Sequence, residues 1–154
     1  MAGYSGTPLA QKLGIKPGQR VGLFAPPIGF ADWLAPLPAE VELVVSPHRQ
    51  CPVLVVFATT QAQLRQRFQR AIRLLPADGG LWVGWPKQSS RIPTELSFTN
   101  VQRHGLAAGL VDNKTCAIDD DWSGARFVVR LVDRPGWPIP TARADREPRK
   151  AGRG

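Results

Sequence analysis

The feature that most constrains the fold is an unbroken apolar run followed at once by an amphipathic helix. Val53–Ala58 shows no polar alternation, which indicates a strand buried on both faces and hence a parallel sheet covered by helices. Thr60 and Gln63 then form a capping-box pattern, and an apolar stripe follows at helical spacing with arginines off the stripe. The stripe comprises Leu64, Phe68, Ala71, Ile72 and Leu75, and the arginines are Arg65, Arg67, Arg70 and Arg73. This combination predicts an α/β protein.

The rest of the chain continues the alternation of strands and helices. Strands are predicted at 20–25, 41–45, 53–58, 81–85, 110–118 and 125–131, and helices at 28–34, from Thr60 to Pro76, and between Pro93 and Gly109. The last helix is expected to begin after Thr94 or Ser97, with Phe98 and Val101 pointing inward. The final two strands are joined by too few residues for a parallel crossover, so they form an antiparallel hairpin. This order predicts a Rossmann-like fold of the class I methyltransferase type, with a mainly parallel sheet, helices on both faces and a C-terminal antiparallel hairpin.

The connection between the second and third predicted strands is short. The seven residues from Ser46 to Pro52 reach about 23 Å when extended. A parallel return must cover about 17 Å of strand length and a sideways step of one or two strand spacings. Either the link is a bare extended crossing between parallel strands, or the two strands are antiparallel.

Composition places the chain among ordinary globular proteins. Its 154 residues, 43% of them hydrophobic, suit one domain. No apolar run approaches the roughly 18–20 residues of a membrane span, and the first ten residues lack a signal-peptide pattern, so no membrane association is expected. Cys51 and Cys116, even with His48 and His104, lack the spacing of a zinc site. We interpret both thiols as packed residues of a cytoplasmic protein and predict neither a metal nor a cofactor.

The C-terminal segment differs from the rest in composition. The chain has 20 basic and 12 acidic residues and a net charge of +8, and residues 133–154 are rich in arginine and proline. We therefore predict one α/β domain over residues 1–132 and a disordered basic tail over residues 133–154. The tail, together with the arginine-bearing helix, could make weak, non-specific phosphate contacts with nucleic acid. A solubilising extension is favoured, because no aromatic residues interleave the charges as stacking platforms.

Three long segments carry a family resemblance. They are MAGYSGTPLAQKLGIKPGQRV at the start, LWVGWPKQSS over residues 81–90, and GLVDNKTCAIDDDWSGARFVVR over residues 109–130. On these strings the chain resembles domain-of-unknown-function family 3052, a family of small bacterial proteins, over Met1 to Asp133. The resemblance implies no established activity and supplies no catalytic residues to carry over.

The sequence lacks the two features that hold the cofactor in a methyltransferase. Such a site uses a glycine-rich loop after the first strand and a carboxylate after the second. Here the first loop, 25–32, contains one glycine and two prolines that lack an amide N–H, and Ser46–Arg49 after the second strand contains no carboxylate. Asp32 could replace that carboxylate but is expected to face solvent. S-adenosylmethionine binding is therefore not expected, because a fold alone does not determine function.

A ligand would nevertheless be expected outside the carboxyl ends of the parallel strands. The free N–H groups of the helix after Thr60 favour an anion, and a nearby loop adds one charge and two hydroxyls. The candidate ligand-binding residues are Gly29, Thr59, Thr60, Lys87, Ser89 and Ser90. The alternative is that Thr60 only caps its helix and that Lys87 is a solvated loop lysine.

Other polar and aromatic residues receive structural interpretations. The acidic loop Asp119–Asp121 is read as a turn rather than a metal site. Asp112 and Lys114 are expected to share one strand face and to pair with Arg126 or Arg130. His104 is expected to be a cation at a helix C-terminus. Three tryptophans are expected to be core or interface residues, namely Trp82, Trp85 and Trp122.

No catalytic set appears at motif spacing. The leading hypothesis is therefore a non-catalytic Rossmann-like domain that binds a small anionic ligand or a protein partner. The alternatives are a divergent S-adenosylmethionine-dependent methyltransferase or nucleotide-binding enzyme, and a nucleic-acid-associated protein acting through its basic tail.

Overall fold

A six-stranded sheet with helices on both faces organises residues 6–137, the part of the chain that the computed structural model describes. The strands are β1 (Arg20–Phe24), β2 (Glu42–Val45), β3 (Val53–Phe57), β4 (Gly80–Pro86), β5 (Leu110–Ala117) and β6 (Trp122–Val129). The helices are α1 (Leu9–Lys12), α2 (Phe30–Leu34), α3 (Gln61–Ile72) and α4 (Phe98–Ala107), and a 3₁₀ turn follows at Leu131–Asp133. None of the helices in this part of the chain is long and apolar enough to cross a membrane.

The strand order confirms the predicted fold class. The order across the sheet is β2-β1-β3-β4-β6-β5. Strands β1 to β4 run parallel, and β6 lies antiparallel between β4 and β5. Strands β3 and β4 are buried along their whole length, as expected for central strands that helices cover on both faces.

The short link between β2 and β3 is a bare crossing over β1. The two strands lie on opposite sides of β1 and both pair with it in parallel, so the antiparallel alternative is wrong. The crossing segment, residues 46–52, packs directly over Gly22. A Cβ at Gly22 would lie 2.6 Å from Cγ of Pro47 and 3.0 Å from Sγ of Cys51. The side chains of Pro47 and Cys51 therefore occupy the space above β1 that a side chain at position 22 would need, and this favours a glycine there.

Each face of the sheet carries its own apolar core. Phe68 of α3 packs in the core beneath α3 and α4, and Phe30 of α2 packs in the core beneath α1 and α2. Trp82, Trp85 and Trp122, predicted as core or interface residues, all lie in the core, at 0%, 6% and 9% exposure. Helices therefore cover both faces of the sheet, as predicted, with one apolar core beneath each layer of helices.

Side chains at the starts of α3 and α4 fix where these helices begin. Thr60 Oγ1 accepts a hydrogen bond from the Gln63 amide at 3.1 Å, but the Gln63 side chain returns to the Thr59 amide, at 2.9 Å, rather than to that of Thr60. Ser97 and Asn100 form a complete capping box, in which each side chain accepts a hydrogen bond from the other's backbone amide. The later of the two predicted caps is therefore the one that α4 uses.

Phe98, the first residue of α4, does not point into the core. It is 39% exposed, so the prediction that it faces inward is wrong. The Phe98 ring lies 6.4 Å from the Trp85 ring at the end of β4. Val101, one turn later, is buried as predicted.

Helix α1 precedes the sheet and leaves no periodic signal, because four residues are too few to show a helical repeat. It ends in a Schellman motif, in which the Ile15 amide donates to the Ala10 carbonyl and the Gly14 amide donates to the Gln11 carbonyl. Gly14 adopts a φ of 77°, which this motif requires. The motif turns the chain back toward β1.

A bulge in β5 changes which side chains share a face. The register shifts at Asn113, so that Lys114 lies opposite Arg126 while Asp112 faces α4. The Asp112 carboxylate accepts hydrogen bonds from Nε2 of Gln102 at 3.3 Å. The prediction that Asp112 and Lys114 share a face is therefore wrong, because alternation holds only while the strand is regular.

The hairpin is tighter than predicted, since β6 begins at Trp122, and the chain beyond it stays packed on the domain as far as Trp137. Nε1 of Trp137 donates a hydrogen bond to the Leu75 carbonyl at 2.8 Å, and Nε of Arg134 donates to the Val129 carbonyl at 3.1 Å. The packed domain therefore extends past residue 132. The remainder of the predicted tail, residues 138–154, lies outside the described residues.

Candidate ligand-binding site

The loop after β1 lies at the carboxyl edge of the sheet, where open α/β folds bind ligands. Pro26 and Pro27 have no amide N–H, and Ala25 and Gly29 adopt positive φ angles of 56° and 89°. Gly29, a predicted site residue, is the N-cap residue before α2, and a Cβ there would lie 3.3 Å from Nε1 of Trp33. The loop therefore bends sharply and offers few amide donors to a phosphate.

The end of β2 carries no carboxylate. It finishes at Val45, which is 61% exposed, and Ser46 follows with a φ of 52°. The acidic residue of β2 is Glu42 at its opposite end, where it pairs with Nε of Arg20 at 3.3 Å. Asp32 on α2 is exposed, as expected. The end of β2 therefore lacks the acidic residue that would bind a ribose.

Glu95 occupies the N-terminus of α3. Its Oε1 accepts a hydrogen bond from the Gln61 amide at 2.9 Å, and its own amide donates to the Thr59 carbonyl at 2.8 Å. The Thr94 hydroxyl donates to the same carbonyl at 3.0 Å. Because a helix N-terminus attracts one anion, this carboxylate competes with any external anion at Thr59 and Thr60.

The other predicted site residues form a turn after β4. The Lys87 amide donates to the Asp121 carbonyl at 2.8 Å, which ties this turn to the hairpin loop. Ser90 Oγ accepts from the Ile92 amide at 3.1 Å, and Ser89 is exposed. Within residues 6–137, no hydrogen bond joins this turn to Thr59 or Thr60. The edge thus holds two separate clusters of the predicted residues, with Gly29 in a third loop, and their joint role as a ligand site stays a prediction.

A cleft of about 540 Å³ opens beside the end of β4 and the start of α4. Trp85 and Phe98 form an aromatic wall whose ring planes are inclined by 38°. Thr115 and Ser123 add hydroxyl groups, and the lining is completed by Cys116, Ala117 and Gly124. This volume is in the range of small-molecule sites. Sequence reasoning missed the cleft because it placed Phe98 in the core and Trp85 in the core or an interface.

The two cysteines are packed thiols rather than nucleophiles. Burial raises the pKa of Cys51 to about 11, and its thiol donates to the Arg49 carbonyl at 3.3 Å. Burial also raises the pKa of Cys116, against the smaller opposing effects of Lys12 and Lys114. Both groups are therefore protonated at neutral pH, which suits their interpretation as packed residues.

His104 is not the helix-terminal cation that the sequence predicts. Its ring packs edge-on against Phe68, with centroids 4.8 Å apart. Burial, and to a lesser extent the positive charge of Arg65, lowers the pKa of His104. The imidazole is therefore neutral at pH 7, and the predicted interaction of a cation with the end of α4 is wrong.

The acidic loop acts as a turn. Oδ1 of Asp119 accepts hydrogen bonds from the amides of Asp121 and Trp122, at 2.9 and 2.8 Å, which is an Asx-turn pattern. No group of three His, Cys, Asp or Glu side chains in residues 6–137 is arranged to hold a metal ion.

Two of the arginines of α3 hold the helix on the sheet. The Arg67 guanidinium donates to the Phe57 carbonyl at 2.8 Å, and Arg70 lies over the Phe24 ring at 5.5 Å. These two side chains are therefore engaged within the protein, which weakens the case for α3 as a nucleic-acid-binding helix.

The domain is similar in fold to proteins of known structure, among them two methyltransferases. N-methyltransferase NodS from Bradyrhizobium japonicum superposes with a TM-score of 0.53 and 14% identity, over 77% of this chain and 90% of that one. A TehB-like S-adenosylmethionine-dependent methyltransferase from Corynebacterium glutamicum gives 0.50 and 12%, over 84% and 91%. The PH0226 protein from Pyrococcus horikoshii gives 0.52 and 12%, over 79% and 86%. No family model matches the chain, and no curated protein matches it in sequence. The chain thus has the fold of the class I methyltransferases.

Proposed function

We propose that this chain is a non-catalytic domain of methyltransferase fold that binds a small aromatic anion at the carboxyl edge of its sheet. The observation that carries the proposal is the cleft between Trp85, Phe98 and the hairpin. An aromatic ring is suited to contact with the rings of Trp85 and Phe98, since offset and tilted aromatic pairs are favourable. Thr115 and Ser123 supply hydroxyls for polar substituents. Lys87 lies outside the lining of the cleft but follows Trp85 by two residues, and it is the positive charge that we assign to the anion.

The carboxyl edge argues against methyl transfer as the main activity. Pro26 and Pro27 remove amide donors where a nucleotide would need them, and β2 ends without a carboxylate for the ribose. Glu95 fills the N-terminus of α3. A binding domain needs none of these determinants, whereas an S-adenosylmethionine-dependent enzyme needs some replacement for each.

A divergent S-adenosylmethionine-dependent methyltransferase is the second candidate. It is favoured by the strand order and the antiparallel hairpin, which the chain shares with methyltransferases at 12–14% identity. Likeness at this level supports the fold and not the chemistry. The two candidates differ in what they bind at the same edge of the sheet.

Fluorescence titration with 8-anilinonaphthalene-1-sulfonate, an aromatic anion that brightens in apolar surroundings, tests the proposal. We expect saturable binding of one equivalent, and we expect Phe98→Ala to weaken it about tenfold. Leu106→Ala is the matched control, because Leu106 lies on the same helix at 41% exposure but outside the cleft. Equal affinities for the two variants would overturn the assignment of the cleft.

S-adenosylmethionine is the second arm of the experiment. A ligand at about 100 times its Kd adds about 2.7 kcal/mol to the free energy of unfolding, which a thermal-shift assay detects. We expect no shift at millimolar S-adenosylmethionine. A saturable shift would support the methyltransferase candidate and contradict a non-catalytic domain.

A further inference from the structure

A second cleft, of about 350 Å³, opens at the opposite, amino edge of the parallel strands. Residues at the start of β3 and just before β4 form its floor, and the turn after α1 forms one wall. Its charged lining consists of Lys12, Lys16, Lys114 and Arg126, with Asp78 as the acidic member. The lining therefore carries a strong excess of positive charge in a confined volume, where charges interact more strongly than on an open surface.

The turn after α1 brings two of these lysines to the cleft. Lys12 is the last residue of α1, and Lys16 follows the Schellman motif, so both lie at the same corner of the fold. Nε1 of Trp82, a fully buried side chain of β4, donates to the Leu13 carbonyl at 3.0 Å and fixes the turn on the sheet. Lys12 itself reaches the Ala117 carbonyl with Nζ at 3.4 Å. The Lys12 end of this wall is thus anchored to β4 and β5.

The bulge at Asn113 brings the other two cations together. It places Lys114 directly opposite Arg126 on neighbouring strands, where paired Cβ atoms are about 5 Å apart and like charges repel. A regular strand would instead place the neutral Asn113 opposite Arg126. The irregularity therefore creates a repulsive pair that a simpler strand would avoid, and bulges of this kind commonly redirect side chains at functional sites.

Arg126 is held in place and partly removed from water. Its guanidinium lies across Gly80, where a Cβ would approach Nη2 to 2.7 Å, so the glycine leaves the space that the side chain fills. Burial, and then the charge of Arg134, lowers the pKa of Arg126, although an arginine stays charged at neutral pH. Among residues 6–137, no carboxylate forms an ion pair with Arg126 or Lys114. Arg126 is half-buried and faces the exposed Lys114, and with neither in an ion pair within that range this arrangement favours an external counter-ion.

We propose that the amino-edge cleft binds a compact phosphate-bearing anion, with Arg126 and Lys114 contacting its oxygen atoms. The planar guanidinium suits bidentate contact with a phosphate, and the lysines add charge without demanding a fixed geometry. The bound anion would screen the repulsion between Lys114 and Arg126. This site is independent of the proposed function, because it lies at the other end of the strands and shares no lining residue with the Trp85 cleft.

Calorimetric titration of the full chain with pyrophosphate tests the proposal. We expect saturable binding that Lys114→Gln weakens about tenfold, as loss of a charge-assisted contact does. Arg103→Gln is the matched control, because it removes one positive charge from an exposed position on α4, away from the cleft. A control titration with sulfate at the same ionic strength distinguishes binding of pyrophosphate from general electrostatic screening. No saturable binding of pyrophosphate, equal weakening by the two variants, or an equal effect of sulfate would overturn the site.

The repulsive pair gives a second readout that needs no ligand. Lys114 is exposed, so its replacement leaves the core intact. We expect Lys114→Gln to raise the melting temperature of the ligand-free chain, because it relieves the charge opposite Arg126. We also expect it to reduce the stabilisation that pyrophosphate gives the unmodified chain. A lower melting temperature without ligand, or an undiminished gain with pyrophosphate, would contradict the proposal.

Discussion

Glu95 holds its Oε1 2.9 Å from the backbone nitrogen of Gln61, so the chain supplies its own anion to the N-terminus of α3. This helix follows the central strand β3 and is the one from which the sequence predicted an anion site. An external anion near Thr59 and Thr60 must therefore displace a carboxylate that is delivered by the segment before α4. The contact stabilises α3, and the Glu95 carboxylate occupies the N-terminus of α3, where a phosphate would otherwise be expected to bind.

Removing the charge of Glu95 should destabilise the domain. Glu95→Gln loses the attraction between a carboxylate and the positive end of α3, so we expect the free energy of unfolding to fall by about 0.5 kcal/mol in urea. Asp120→Asn is the control, because it removes a negative charge from an exposed loop position. The interpretation fails if the two variants lose equal stability.

Gly22 should tolerate no side chain beneath the crossing segment. A methyl group there would collide with Pro47 and with Leu54, at 2.6 and 2.9 Å, so we expect Gly22→Ala to lower the free energy of unfolding by about 1–3 kcal/mol. Denaturant unfolding measures the change. Gly136→Ala is the control, because a Cβ at that position meets no described atom within 4 Å.

A second substitution tests the cause of that loss. Pro47→Ala removes the atom nearest to the new methyl group, so it should recover part of the stability lost in Gly22→Ala. Strictly additive effects of the two substitutions would show that the crossing segment is not what excludes a side chain at Gly22.

His104 should make stability depend on pH. Because the pKa of His104 is lower in the folded chain than in the unfolded one, the unfolded chain binds protons first as the pH falls below about 6.5. Its contribution to stability is therefore complete above pH 6.5 and declines as the pH falls through the folded pKa. Urea midpoints measured between pH 5 and 8 should show this decline, and His104→Gln should flatten it.

His48 provides the comparison for this measurement. It is exposed on the crossing segment, so His48→Gln removes a histidine without removing the ring that packs on Phe68. A slope that both variants reduce equally would point to a general charge effect rather than to the desolvated ring packed on Phe68.

Thiol labelling should separate the folded chain from the unfolded one. Cys51 is fully buried and its pKa is about 11, so we expect it to react with Ellman's reagent at pH 7.5 only after denaturation. Cys116 is half-buried and should react more slowly in the folded chain than in denaturant. A Cys116→Ser variant isolates Cys51, and rapid labelling of that variant in native buffer would contradict its burial.

The fold follows from patterns that act over short distances along the chain. The apolar run of β3 and the stripe of α3 are local signals, and together with the hairpin they suffice for the class of fold. The contact of Glu95 with Gln61 joins residues 34 positions apart, so no local sequence pattern predicts it. The single extra residue at Asn113 likewise breaks the alternation on which the pairing of Asp112 was predicted. A cleft, such as the one beside Phe98, forms where neighbouring helices and strands are not in contact. The sequence pattern predicts the helices and strands themselves better than it predicts the spaces between them.

The crossing of residues 46–52 over β1 has a consequence for how the domain opens. β1 is enclosed on three sides, by two parallel neighbours and by the short tether that joins them. If β2 or β3 separated from β1 alone, the connecting segment 46–52 would have to move across β1. We therefore expect β1, β2 and β3 to unfold together as one cooperative unit. Amide hydrogens in β1 and β3 are then expected to exchange with deuterium through a single opening event. A longer connection at this point would remove this constraint on the first strands.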